Sequence, residues 1–259
     1  MFLKKRFLCR VLVAFAIWLP TSLLAQTIPD GTNAKPAVVR VPFVGCPSNG
    51  QGGPNPAPKR AGKEVVLDAG AARRLAYYEA YSESEGSRGL LAPRGWHGFG
   101  RYGSAGTSLT VLPYSVTFDN LDTLNSPFIM VTQLSGETSG RFQVARVIAR
   151  VFPTQKAFAD GVIKEGIEPA SDFPFGPYPT DTLKYHGDVT VEFQTPANTK
   201  GLGTEFGLQP NDRPISGVAA IKWDGEDIYL VCLTVRLMPD TRDLTTQIMQ
   251  QFERDQELP

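Results

Sequence analysis

Apolar residues in the second half of this chain fall into patterns that name their elements. Val144, Val147, Ile148 and Val151 recur at i, i+3, i+4 and i+7, with Arg146 and Arg150 together on another face. That spacing predicts an amphipathic helix, ended by Pro153. Thr154 is placed to cap a second helix in which Phe158 and Val162 share a face and which Gly166 stops. Val189, Val191 and Phe193 then alternate with Thr190 and Glu192, the signature of a half-buried strand. Two apolar runs, residues 215–222 and 228–237, flank Trp223-Asp224-Gly225-Glu226-Asp227. An Asp-Gly pair in so short a loop predicts a β-hairpin. Asp240 and the spacing of Leu244, Ile248 and Phe252 predict a terminal helix.

The first half is harder to read. Ala71, Leu75 and Tyr78 at i, i+4 and i+7 predict a helix over residues 68–84, capped by Asp68, with Tyr77, Tyr78 and Tyr81 as packing aromatics. Residues 90–113 are rich in glycine and aromatics, which predicts a tight loop or a strand pair with bulges, leaving through a strand at 109–112. Residues 127–134 are a further short strand. Prolines at 29, 36, 42, 47, 54, 56 and 58 exclude a helix from residues 26–63, although 37–44 has the β-formers of an edge strand. Strands, helices, then a hairpin and a last helix predict an α+β fold: an antiparallel sheet with a C-terminal hairpin and packed helices, in one large or two small domains.

The beginning of the chain changes the setting. Lys4, Lys5, Arg6 and Arg10 precede an apolar run over residues 11–19, and Pro20 and a small-residue end at Ala25 follow. This is the layout of a secretory signal peptide cut after Ala25. The run is far below the ~20 residues of a membrane-spanning helix. Residues 1–25 are therefore read as leader, 26–63 as an extended lead-in, and 64–259 as the globular body, with a subdivision near residue 136. The mature protein is expected in the periplasm or outside the cell. The full chain carries 26 basic and 26 acidic residues, and the leader removes four bases and no acid, leaving −4. A mildly acidic protein without a basic block lacks the footprint for nucleic acid or anionic lipid.

Cys46 and Cys232 remain after Cys9 leaves with the leader. In an oxidising compartment an even pair is a disulfide candidate, with two separate buried thiols as the alternative. His97 and His186 are the two histidines, and neither lies close in sequence to a cysteine or to the other. No metal-ligand spacing, calcium loop, phosphate loop or dinucleotide fingerprint is present, so neither metal nor cofactor is expected. Gly103-Ser104-Ala105-Gly106 lacks the spacing of a nucleophile elbow. Ser104 with His97, or a carboxylate pair drawn from Glu79, Glu83, Glu192 and Glu205, are the candidates left for a hydrolase.

The segment singled out is residues 94–102. Arg94, Trp96, His97, Phe99, Arg101 and Tyr102 on a glycine-loosened frame have the composition of a recognition surface, and flat rings stack on sugars. A buried aromatic corner is the competing account. Val41-Pro42-Phe43-Val44-Gly45-Cys46-Pro47-Ser48-Asn49-Gly50-Gln51, with Leu91-Ala92-Pro93-Arg94-Gly95-Trp96-His97 and Pro214-Ile215-Ser216-Gly217-Val218-Ala219 through to Arg236, resembles a group of uncharacterised exported bacterial proteins. The resemblance implies a bacterial, exported setting and carries over no functional residue. The expectation is a soluble, non-enzymatic protein with a binding or structural role in the cell envelope or outside it, its partner an envelope protein or glycan, with a cofactor-independent hydrolase acting on envelope material as the alternative.

Overall fold

Pro42 divides the first apolar run between two sheets. Ala37–Val41 (β1) pairs antiparallel with Lys63–Leu67 (β4), whereas Phe43–Cys46 (β2) runs parallel to Leu75–Ser82 (β5). Pro42 has no N–H to give to a ladder, but its carbonyl accepts from Tyr77 N at 2.9 Å. Ser48–Gly50 (β3) then joins a third sheet, parallel to His97–Gly103 (β7). The lead-in thus delivers one strand to each of three sheets. The computed structural model describes residues 35–82, 86–115 and 125–259. The leader, its cut at Ala25, the start of the lead-in and Glu83 lie outside the described residues.

The helix expected over 68–84 is a single short one. Ala69–Arg74 (α1) starts where Asp68 Oδ1 accepts from Ala71 N at 2.8 Å, and it ends at Leu75, which is extended. From there the chain is β5, because Leu75, Tyr77 and Tyr78 are buried on alternate faces between β2 and Gly86–Pro93 (β6). Aromatic residues favour such a pleated site, and tertiary packing overrides the helical spacing.

The third sheet has eight strands, in the order β10-β11-β12-β13-β9-β8-β7-β3. Its members are Gly106–Leu112 (β8), Phe128–Ser135 (β9), Thr182–Tyr185 (β10), Thr190–Thr195 (β11), Ile215–Asp224 (β12) and Asp227–Arg236 (β13), beside β3 and β7. The β12–β13 hairpin forms around Gly225 at φ +63°, with Asp224 opposite Asp227. Arg141–Val151 (α2) and Lys156–Lys164 (α3) follow the periodicity, joined by a 3₁₀ turn at Pro153–Gln155. Thr245–Asp255 (α4) closes the chain. Thr154 and Asp240 cap neither helix: the N-cap position of α3 is Gln155 and that of α4 is Leu244.

The α+β expectation is overturned. Thirteen strands and four short helices, 23% helical, make this mainly a β fold among the described residues. The excess strands come from the lead-in, from β5 and from β6, while the glycine-rich stretch takes the second of its two expected forms, the β7–β8 strand pair.

Both faces of the large sheet are covered, so its central strands read as continuous apolar runs. On one face Phe128, Met130, Val191, Ala219 and Leu230 pack against Val144, Val147 and Ile148 of α2. On the other, Leu109, Val111, Ile129, Val131 and Leu233 pack against Tyr78, Leu90 and Ala92 of β5 and β6 and against Ile248 and Phe252 of α4. These are called the helix side and the strand side below.

Candidate functional site

The six residues of the 94–102 segment do not share a surface. Pro93, Arg94, Gly95 and Trp96 make a tight turn, with Gly95 at φ +82°. Arg94 folds back and donates to the carbonyls of Ala72 at 2.8 Å and Leu75 at 3.0 Å, which satisfies the C-terminal end of α1. Trp96 packs half-buried on the strand-side core. His97 is exposed. Phe99 is buried in the helix-side core. Tyr102 is buried, and its hydroxyl donates to Gly53 O and accepts from Asn55 Nδ2, fastening the chain after β3. Strand alternation sends Phe99 and Arg101 to the helix side and Tyr102 to the strand side.

Arg101 stands apart because it lines two hollows on this side of the sheet, whereas Tyr102 lines one of them and the other four line neither. Antiparallel register places Arg101 beside Ser108, Ser108 beside Thr132, Thr132 beside Cys232, Cys232 beside Ala219 and Ala219 beside Val191. Paired residues of one row project from one face. Beneath the helices the row is apolar: Cys232, Ala219 and Val191 are all within 1% of full burial. At the hairpin end it becomes Thr132, Ser108 and Arg101, and there it floors a cleft of about 460 Å³. A second hollow of about 600 Å³ wraps the β7–β8 turn and shares Arg101, Ala105, Ser108, Thr132 and Leu134 with it. Both volumes lie in the range of small-ligand sites.

The opposite wall comes from α2 and from two loops. Arg146 Nη2 pairs with Glu168 Oε2 at 2.5 Å, and Arg146 Nη1 donates to Gln143 Oε1 at 3.2 Å. Gln143 Nε2 donates to the Glu205 carbonyl at 3.1 Å, and the Tyr178 hydroxyl donates to Glu205 Oε1. Burial, reinforced by Glu205, pushes the Tyr178 hydroxyl up to about 12, so it remains a donor. Phe142 and Phe206 supply apolar surface, each half-buried. Ser104 Oγ and Ser139 Oγ meet at 3.0 Å on the rim. The arrangement offers planar hydrogen-bonding side chains in a fixed frame beside apolar patches.

It does not assemble the proposed Ser104–His97 dyad. Those residues lie at opposite ends of β7, roughly 20 Å apart at ~3.3 Å per residue, and Ser104 is held by Ser139. The two histidines are far apart in the sheet, His97 on β7, second from one edge, and His186 just after β10 at the other edge. Of the nominated carboxylates, Glu79 is buried against Arg60 at 2.8 Å, and Glu205 lines the cleft. The Cys46–Cys232 bridge does not form. Both thiols are free and buried, Cys46 in the strand-side core and Cys232 in the helix-side core. Burial pushes Cys46 up to about 12 and raises Cys232 as well, which leaves neither thiol reactive at neutral pH.

Sequence reasoning missed Ser108, Thr132, Gln143, Glu168 and the aromatic pair. Thr132 breaks an apolar strand and Arg146 lies off the buried stripe of α2, and these were the available signals. No helix among the described residues is long and apolar enough to cross a membrane. No family model, curated protein or solved structure matches the chain.

Proposed function

We propose that this chain is an exported, non-enzymatic bacterial binding protein whose ligand is an envelope glycan held in the cleft between the β7–β8 hairpin and α2. The observation that carries the reading is the change along one cross-strand row, from Val191, Ala219 and Cys232 under the helices to Thr132, Ser108 and Arg101 in the open. Polar residues on a sheet face that is otherwise core are the mark of a surface kept for a ligand. Arg, Gln and Glu side chains present paired donors and acceptors to vicinal hydroxyls, and Phe142 and Phe206 offer ring faces. The leader layout and the resemblance to exported proteins support the setting. Trp96 and Tyr102 serve packing in this account and Arg101 alone of the six serves binding.

The test is a glycan array probed with the mature chain, followed by titration of a retained glycan. Arg101→Ala and Gln143→Ala should each weaken binding about tenfold or more, equivalent to ~1.4 kcal/mol, with melting temperatures close to wild type. Trp96→Ala should lower the melting temperature and leave affinity unchanged. Binding that survives both cleft variants but is lost in Trp96→Ala would restore the 94–102 surface and sink the cleft. Turnover of the glycan during titration would place the protein among hydrolases.

A further inference from the structure

At the far edge of the large sheet, three elements bring metal-ligating atoms together. His186 follows β10, Glu192 lies on β11 and Glu253 on α4, and their ligand atoms all lie within 4.8 Å of one another. His186 Nε2 is 2.5 Å from Glu192 Oε1. Each ligand is held by a fixed frame. The His186 N–H bonds to Thr190 O at 2.9 Å across a turn at Gly187 (φ +70°). Glu192 sits between the buried Val191 and Phe193, and α4 is anchored by Ile248, by Phe252 and by Lys222 Nζ on the Gln256 carbonyl at 2.9 Å. We infer that His186, Glu192 and Glu253 form a divalent-cation site of the zinc class, which ties the C-terminal helix to the β10–β11 edge.

The donor set decides the class. One imidazole nitrogen and two carboxylate oxygens suit zinc, whereas magnesium and calcium take oxygen alone. Zinc bonds of about 2.0–2.2 Å put neighbouring ligands roughly 3.3 Å apart, so the His186–Glu192 pair opens slightly and Glu253 closes. All three side chains are half-buried, which leaves them free to make that adjustment. Lys184 Nζ occupies Glu192 Oε1 at 2.8 Å and is the direct competitor, yet it is 67% exposed and can leave for solvent. A groove of about 310 Å³ adjoins the site and shares Lys184 and Glu192, leaving room for a fourth donor such as water.

The chain contains only two histidines, which gives the test an internal control. Zinc is titrated into chelator-treated mature chain by calorimetry while imidazole ¹H–¹⁵N resonances are recorded. One zinc per chain should move the His186 signals and leave His97 unmoved. His186→Ala and Glu253→Gln should each weaken binding at least tenfold, and Lys184→Met should tighten it. Excess magnesium should not displace the zinc. Movement of His97, stillness of His186, unchanged affinity in both ligand variants, or displacement by magnesium would each overturn the site. Should His186→Ala fail to fold, the wild-type resonances and Glu253→Gln still decide.

Discussion

The two layers that cover the eight-stranded sheet do so by different means. On the strand side, β5 and β6 press close. Added methyl groups at Gly98 and Gly100 would overlap Cys46 and the side chains of Ala80 and Ser48. On the helix side, α2, α3 and the loop after α3 cover the sheet through large side chains, among them Ile148 of α2, Phe152 at its end and Phe173 of the loop, all at most 1% exposed. Helices leave the β7–β8 end open, and the cleft lies there. The tight layer fixes the sheet, and the looser one leaves space for a ligand.

Truncating a large residue on each side is the strongest way to separate the layers. Phe152→Ala and Tyr78→Ala both empty fully buried sites, and Tyr78 also loses its bond to Pro93 O at 2.8 Å. Each should cost about 3–5 kcal/mol in urea unfolding. Their local effects should differ. Phe152→Ala loosens the end of α2 and should shift the amides of Gln143 and Arg146, whereas Tyr78→Ala should leave the cleft amides in place. Equal disturbance of the cleft by both would mean that the layers act as one body and the distinction fails.

A pair of glycines gives a smaller effect with opposite signs. Gly98→Ala drives a methyl group into the Cys46 sulfur and should cost about 1–3 kcal/mol, part of which Cys46→Ala restores. Gly161, inside α3, has nothing within 4 Å of the added methyl. Gly161→Ala should therefore gain up to about 1 kcal/mol from helix propensity. Thermal melts of the three variants read both signs. A destabilised Gly161→Ala would show that the outer face of α3 is closed to an added methyl group.

The same contrast explains what was legible beforehand. The β12–β13 hairpin could be read because Asp224-Gly225 interrupts two apolar runs, and α2 because one stripe alone is buried. Strand β5 could not, because it is buried on both faces and its tyrosines happened to fall at helical spacing. In β7 the residues that should alternate with Phe99 are Gly98 and Gly100, which erase the period-two pattern while serving close approach. Of the cleft, Arg101 was singled out and Arg146 was seen on its polar face. Glu168 and Glu205 reach it only through topology, from loops with no local pattern of their own. The bridge between Cys46 and Cys232 could not be judged from spacing, since it turned on which face of the sheet each thiol occupies.

Buried charge offers the finest test of the comparison. On the strand side, Glu79 is 4% exposed and answered by Arg60 at 2.8 Å. On the helix side, Arg236 is fully buried and has no carboxylate partner among the described residues. Its Nη2 donates to the Gln209 carbonyl at 2.5 Å and its guanidinium lies 5.4 Å from the Phe128 ring, but Nε and Nη1 are unbonded. Burial lowers its pKa, with Arg213 acting in the same direction and Asp212 opposing. A buried charge with so little compensation contributes little net stability, because desolvation offsets what its few partners return. Arg236→Met keeps most of the volume and removes the charge, at the cost of the Gln209 bond. Its unfolding free energy should fall within about 1 kcal/mol of wild type, the smallest change of this series. Breaking a well-compensated buried ion would instead cost about 3–5 kcal/mol. A loss of that size in urea unfolding would show that the helix side balances its charge as fully as the strand side does.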